Sequence, residues 1–190
     1  MKYLIAIAAI FAFSPSAEPY KITSSGRLIY TKECFSFQIL KGWKAISGNS
    51  VPLLYNFAPR SAPVSLQDIP IGAASLAIGP ENYSKDHSNS IDDLIRISGR
   101  AHSLISVGEM KYSKATRITR AVKLHWTEVD PGLPRLETDA VFFTYRGQAF
   151  TAYLNYYHSD KRASLYATAL AGVFSSFRPL VNYQGCDAPK

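Results

Sequence analysis

Apolar and polar positions change period along the chain, and the changes mark out its elements. Leu28 to Leu40 is rich in β-branched and aromatic residues, and Cys34-Phe35-Ser36-Phe37-Gln38-Ile39 alternates apolar with polar, which predicts an early strand. Lys41-Gly42-Trp43 breaks the run: glycine permits a turn, and Trp43 is large enough to cap one end of a core. Val51 to Ala58 and Ile71 to Ile78 predict two further strands, with Pro59 to Pro70 between them as a loop. The period then changes from two to nearly four. Ile91, Leu94, Ile95, Ala101, Leu104 and Ile105 recur at helical spacing behind Ser90-Ile91-Asp92-Asp93, where Ser90 suits an N-cap and the two aspartates suit the positive end of a helix. Gly99 weakens this helix, and Gly108 is a natural exit from it.

Alternation returns in the second half. Ile118, Val122, Leu124 and Trp126 interleave with Arg117, Thr119, Ala121, Lys123, His125 and Thr127, which predicts a strand with its apolar set on a core and its basic set in water. Asp130 to Pro134 supplies a turn, Leu136 to Tyr145 a second strand, Arg146-Gly147-Gln148 another turn, and Ala149 to Tyr157 a third strand. On that last strand Tyr156 shares a face with Phe150, Ala152 and Leu154, while Tyr153 and Tyr157 take the other. Ser159-Asp160 begins a final helix with the stripe Leu165, Tyr166, Ala169, Leu170, Val173, Phe174 and Phe177, and Pro179 ends it. Strands, a helix, a three-strand meander and a last helix pack most economically as an α+β fold in which helices cover an antiparallel sheet.

Before these elements, Lys2 stands as the only charge ahead of Glu18, an apolar run extends from Tyr3 to Phe13, and Ser14 to Ala17 are small residues or proline. This is the pattern of a secretory signal peptide over residues 1–17, leaving residues 18–190 as one domain outside the cytoplasm, secreted or periplasmic, with no transmembrane segment. In such a compartment disulfides persist, so Cys34 and Cys186, near the two ends of the mature chain, are expected to pair.

The 190 residues are 47% hydrophobic and 18% charged, too apolar for a disordered polymer and too poor in cysteine for a disulfide scaffold. The formal charge of +7 favours an acidic protein or an anionic envelope surface as partner, because nucleic acid is scarce outside the cell.

Candidate chemistry is sparse. No G-x-S-x-G elbow, phosphate-binding loop or dinucleotide turn occurs. His87, His102, His125 and His158 lack the spacing of a zinc helix, so no metal or other cofactor is expected. The densest polar cluster is His125-Trp126 with Glu128 and Asp130, which needs other segments to become a metal or proton-transfer site. Asn82-Tyr83-Ser84 matches a glycosylation sequon, relevant only in a eukaryotic host. Arg117, Lys123, His125, Tyr153 and Tyr157 are the candidate partner-binding residues, provided the tyrosine face is exposed beside the basic one.

The segment Phe35-Ser36-Phe37-Gln38-Ile39-Leu40-Lys41-Gly42-Trp43 resembles the opening of Mog1/PsbP-like domains, an aromatic strand running into a turn that ends in Gly-Trp. Ala167 to Phe177, with Ser175-Ser176-Phe177-Arg178-Pro179, is similar to the family's last helix and its Ser-Phe ending. The resemblance spans about residues 28 to 180, although Leu40 and Lys41 stand where the family carries a proline before Gly-Trp. It implies an α/β/α sandwich around an antiparallel sheet, and a role in binding or assisting other proteins. Family members associate with a small nuclear GTPase or the photosynthetic water-oxidising complex, and bacterial ones are exported. The leading expectation is therefore a non-enzymatic binding or assembly module. A carrier of a small ligand or lipid, with a pocket between sheet and helices, is the alternative, and a hydrolase with a distributed active site comes third.

Overall fold

The structure is a computed structural model. It describes residues 20–45, 52–56, 73–80, 90–129, 131–132, 134–183 and 185–186. The expected signal peptide, the Pro59–Pro70 loop, the sequon and His87 lie outside the described residues.

The architecture is α+β. One antiparallel sheet contains β1 (Tyr20–Ile22), β2 (Arg27–Tyr30), β3 (Phe35–Gln38) and β11 (Arg178–Pro179), in the order β1-β2-β3-β11. The other contains β4 (Lys44–Ala45), β5 (Leu53–Tyr55), β6 (Ala74–Pro80), β7 (Leu104–Glu109), β8 (Ile118–Glu128), β9 (Leu136–Tyr145) and β10 (Gln148–Tyr157), in the order β4-β5-β6-β10-β9-β8-β7. Helices α1 (Ile91–Ala101) and α2 (Ala163–Ser176) lie on opposite faces of this larger sheet.

Alternation along the long strands explains both layers. Val141, Phe143 and Tyr145 of β9 and Phe150, Ala152 and Leu154 of β10 face α2, where they meet Val173 and Phe174 together with Leu28, Phe35 and Phe37 of the small sheet. Phe35 is the hinge of this core: its ring lies 4.9 Å from Phe177, 5.9 Å from Phe150 and 6.1 Å from Tyr145. The intervening residues Ala140, Phe142 and Ala149 face α1 and pack on Ile91 and Leu94.

The β9–β10 turn closes in two residues because Arg146 and Gly147 both adopt positive φ, the geometry whose twist matches a tight antiparallel hairpin. Gly172 lets α2 approach the end of the early hairpin, since a Cβ there would stand 2.8 Å from Leu40 Cδ2. Cys34 and Cys186 form a disulfide with Cα atoms 5.3 Å apart. Closing a loop of 152 residues is worth about 5 kcal/mol on the chain-entropy model.

Several expectations change. Leu28–Leu40 is a hairpin rather than one strand, because residues 31–34 turn and Cys34 takes a positive φ. The first helix starts as expected, with Ser90 Oγ accepting from the Asp93 backbone N–H, but it ends at Ala101. His102 leaves in an extended conformation, and Leu104 and Ile105 belong to β7, which pairs with β8. On β8 a register shift between Ile118 and Arg120 turns Ala121 inward, to full burial beside Ile118, so the strict alternation expected there fails at its start. Leu165, placed on the buried stripe of the last helix, is exposed. The last helix ends at Ser176, and Arg178–Pro179 then pairs with β3.

Candidate functional site

The register of five strands builds one lateral row across the α1 face of the large sheet. Tyr55 on β5 is opposite Ser75 on β6, Ser75 opposite Asn155 on β10, Asn155 opposite Thr138 on β9, and Thr138 opposite Trp126 on β8. Three polar side chains thus lie between two large aromatic ones. α1 crosses above them, contributing Ile97, Ser98 and Ala101, with His102 at its end. The space left between helix and row is a cavity of about 420 Å³, within the range of small-molecule sites. Leu53, Ala77 and Tyr153, from the next row, complete its walls.

The floor is polar and unfinished. Thr138 Oγ1 donates to Asn155 Oδ1 at 2.9 Å, and both residues are buried. The amide nitrogen of Asn155 has no partner among the described residues. Ser75, only 1% exposed, makes no side-chain hydrogen bond among the described residues. A hydroxyl buried without a partner costs roughly 1–3 kcal/mol, so a residue of this kind in a cavity wall is completed when something enters that can bond to it.

At the Trp126 end the wall is organised by a carboxylate. Trp126 Nε1 donates to Glu128 Oε1 at 3.0 Å, and His102 Nδ1 lies 3.5 Å from the same oxygen. The His102 and Trp126 rings stack with centroids 4.7 Å apart, and the Tyr153 ring meets Trp126 edge-on at 6.1 Å. Ser75 and Ser98 line the cavity, but no hydrogen bond joins either hydroxyl to His102. At the other end, burial raises the pKa of the Tyr55 phenol and keeps it neutral.

His125 and Trp126, adjacent in sequence, point to opposite faces. His125 lies over two buried carboxylates of β9: its Nδ1 is 3.1 Å from Asp139 Oδ1. Its Nε2 is 3.1 Å from Glu137 Oε2, within ion-pair distance but out of hydrogen-bond alignment. Arg135 Nη2 donates to Glu137 Oε1 at 2.8 Å, His158 Nδ1 touches the same oxygen, and Lys123 Nζ is 3.4 Å from Asp139 Oδ1. Tyr156 donates to Asp139 Oδ2 at 3.4 Å, and burial, reinforced by the two carboxylates, holds its phenol well above the ordinary pKa. Other segments do join His125, as its chemistry required, yet the result is charge compensation of two buried acids. Among the described residues no group of three or more His, Cys, Asp or Glu is arranged to hold a metal ion.

The five candidate partner-binding residues therefore do not share one surface. Lys123 and His125 lie on the α2 side, already paired with Asp139 and Glu137. Tyr153 lines the cavity on the α1 side, and Tyr157 is buried against Ala73 and Leu136. Arg117 is exposed and, with a positive φ, ends the short 3₁₀ turn Lys114–Thr116. The residues that form the cavity, Tyr55, Ser75, Thr138 and Asn155, went unremarked in the sequence. Their signal is a polar residue at an inward position, repeated on β6, β9 and β10.

No helix among the described residues is long and apolar enough to cross a membrane. No family model matches the chain, and no curated protein does. Among solved structures it is similar to the cyanobacterial PsbP (CyanoP) of Synechocystis, at 17% identity and a TM-score of 0.48, covering 80% of this chain and 91% of that one. It is also similar to a Pseudomonas aeruginosa protein of unknown function, at 15% identity and a TM-score of 0.44, covering 71% of this chain and 87% of the other.

Proposed function

We propose that the chain is an exported binding protein that holds a small organic molecule between α1 and the seven-stranded sheet and releases it unchanged. One observation carries this reading: a cavity of ligand size has a buried polar floor on which the Ser75 hydroxyl has no partner among the described residues. The Cys34–Cys186 bridge suits an oxidising compartment, as does the signal-like N-terminus.

Native mass spectrometry on protein purified from its own envelope tests the proposal. The expected result is a bound small molecule that is lost from Ser98→Leu, a substitution that fills the cavity from the helix side, while the melting temperature of the empty protein stays close to wild type. A folded protein with an empty cavity in every preparation, and no stabilisation by any member of a metabolite library, counts against it.

A second reading, docking of a protein partner, draws on β7. This edge strand exposes Ile105 and Val107 at 60% and 51%, and its outer side has no strand neighbour among the described residues.

A further inference from the structure

The cavity contradicts the charge of the molecule that contains it. The chain carries 21 Lys and Arg and a net charge of +7, yet among the described residues no Lys or Arg lines the cavity. Among the described residues, the acidic residue that lines it is Glu128. Its carboxylate is oriented: Oε1 receives the Trp126 indole N–H and faces His102, whereas Oε2 has no partner among the described residues. Beside it stand the rings of Trp126, His102 and Tyr153, whose π faces and edges suit a flat ring and, in the indole and phenol, a neighbouring positive charge. Across the floor, the Ser75 hydroxyl and the Asn155 amide offer hydrogen bonds to a neutral polar group.

Taking the cavity as a ligand site, as above, we propose that it selects an organic cation, a flat aromatic or conjugated ring bearing a protonated amine, and that Glu128 reads the charge. An ammonium group at Glu128 Oε2 gains an ion pair next to aromatic surface. An anionic ligand of the same shape meets a carboxylate with no lysine or arginine in the wall to offset it, so the site rejects what the basic exterior attracts.

The test compares three probes on one ring, tryptamine, tryptophol and indolepropionate, by titration calorimetry on the disulfide-bonded chain. Tryptamine should bind about tenfold more tightly than tryptophol, the scale of one partly solvated ion pair, and indolepropionate should bind most weakly. Glu128→Gln should abolish the difference between tryptamine and tryptophol, with the far-ultraviolet circular dichroism unchanged. Indolepropionate binding as well as tryptamine, or Glu128→Gln preserving the preference, would overturn the charge assignment while leaving the cavity a ligand site. If none of the three probes produces binding heat, the charge assignment falls, whereas the ligand-site reading is decided by native mass spectrometry and the metabolite library. Ser98→Leu should silence all three probes, and heat that survives it places binding elsewhere and overturns the proposal too.

Discussion

The two faces of the seven-stranded sheet use the same strands to opposite ends. On the α2 face, aromatic rings close on one another around Phe35, Phe143, Phe150 and Phe177, and the two acids that intrude, Glu137 and Asp139, are surrounded by Arg135, Lys123, His125 and His158. On the α1 face, apolar packing by Ile91 and Leu94 stops partway along the helix, and beyond it the polar row Ser75, Asn155 and Thr138 lies under open space. The difference teaches where stability and recognition are invested. A face whose buried charges are neutralised from within is finished at folding, whereas, on the reading proposed above, the face that leaves a buried hydroxyl unpaired is finished by a ligand.

That contrast can be broken by substitution. Phe35→Ala should have the largest effect, lowering stability by about 4 kcal/mol in denaturant titration, because the ring contacts both sheets and Phe177 and leaves a cavity that neither sheet can close. A loss below about 1 kcal/mol would mean that the aromatic core is not where the fold is held. Glu137→Ala should cost about 1–2 kcal/mol, since it strips Arg135, His125 and His158 of a shared carboxylate but leaves no buried charge behind.

Alkali should unfold the protein from the small-sheet and α2 side. Burial, with help from Glu33, raises the Tyr30 phenol to about 12, and Tyr145, Tyr156 and Tyr166 are raised as well. Such phenols ionise more readily in the unfolded chain. Their contribution is intact below the ordinary value of about 10 and is lost as pH rises toward the folded-state value. Ultraviolet titration of tyrosine should therefore show a cooperative phase between pH 10 and about 12 that coincides with loss of circular dichroism. A gradual rise without unfolding would show these tyrosines to be solvated.

The smallest effect belongs to the other face. Ser75→Ala should stabilise the unliganded protein by about 1 kcal/mol, because the hydroxyl has no partner to lose among the described residues and the cost of burying it is removed. The same variant should bind tryptamine more weakly. A stability loss above about 1 kcal/mol would give Ser75 a partner and remove the opening on which the ligand reading rests.

The long meander was legible because its strands are runs rich in apolar, β-branched and aromatic residues set between turn residues, Arg146-Gly147 above all, and need only a neighbour to pair with. β7 was not. Leu104 and Ile105 fit the helical spacing begun at Ile91, and only pairing with β8 shows them to be a strand. Ala121 was assigned to the wet side because the bulge after Ile118 shifts the register by an amount that no local pattern records. The disulfide could be read from compartment and cysteine count. The cavity could not be read in the same way. Its floor is a row across strands, and the partners of Ser75 and Asn155 follow from register across the sheet rather than from any stretch of sequence. Likewise His125, conspicuous beside Trp126, faces away from it, since adjacent residues on a strand take opposite sides.

Chemical-shift mapping during a tryptamine titration tests most directly whether the α1 face is a binding site. The expected result is perturbation confined to Ser75, Asn155, Thr138, Trp126, Glu128 and His102, with Phe35, Phe150 and Phe177 unmoved. Stationary signals along that row, with shifts gathering instead at His125 and Lys123 or along β7, would contradict it.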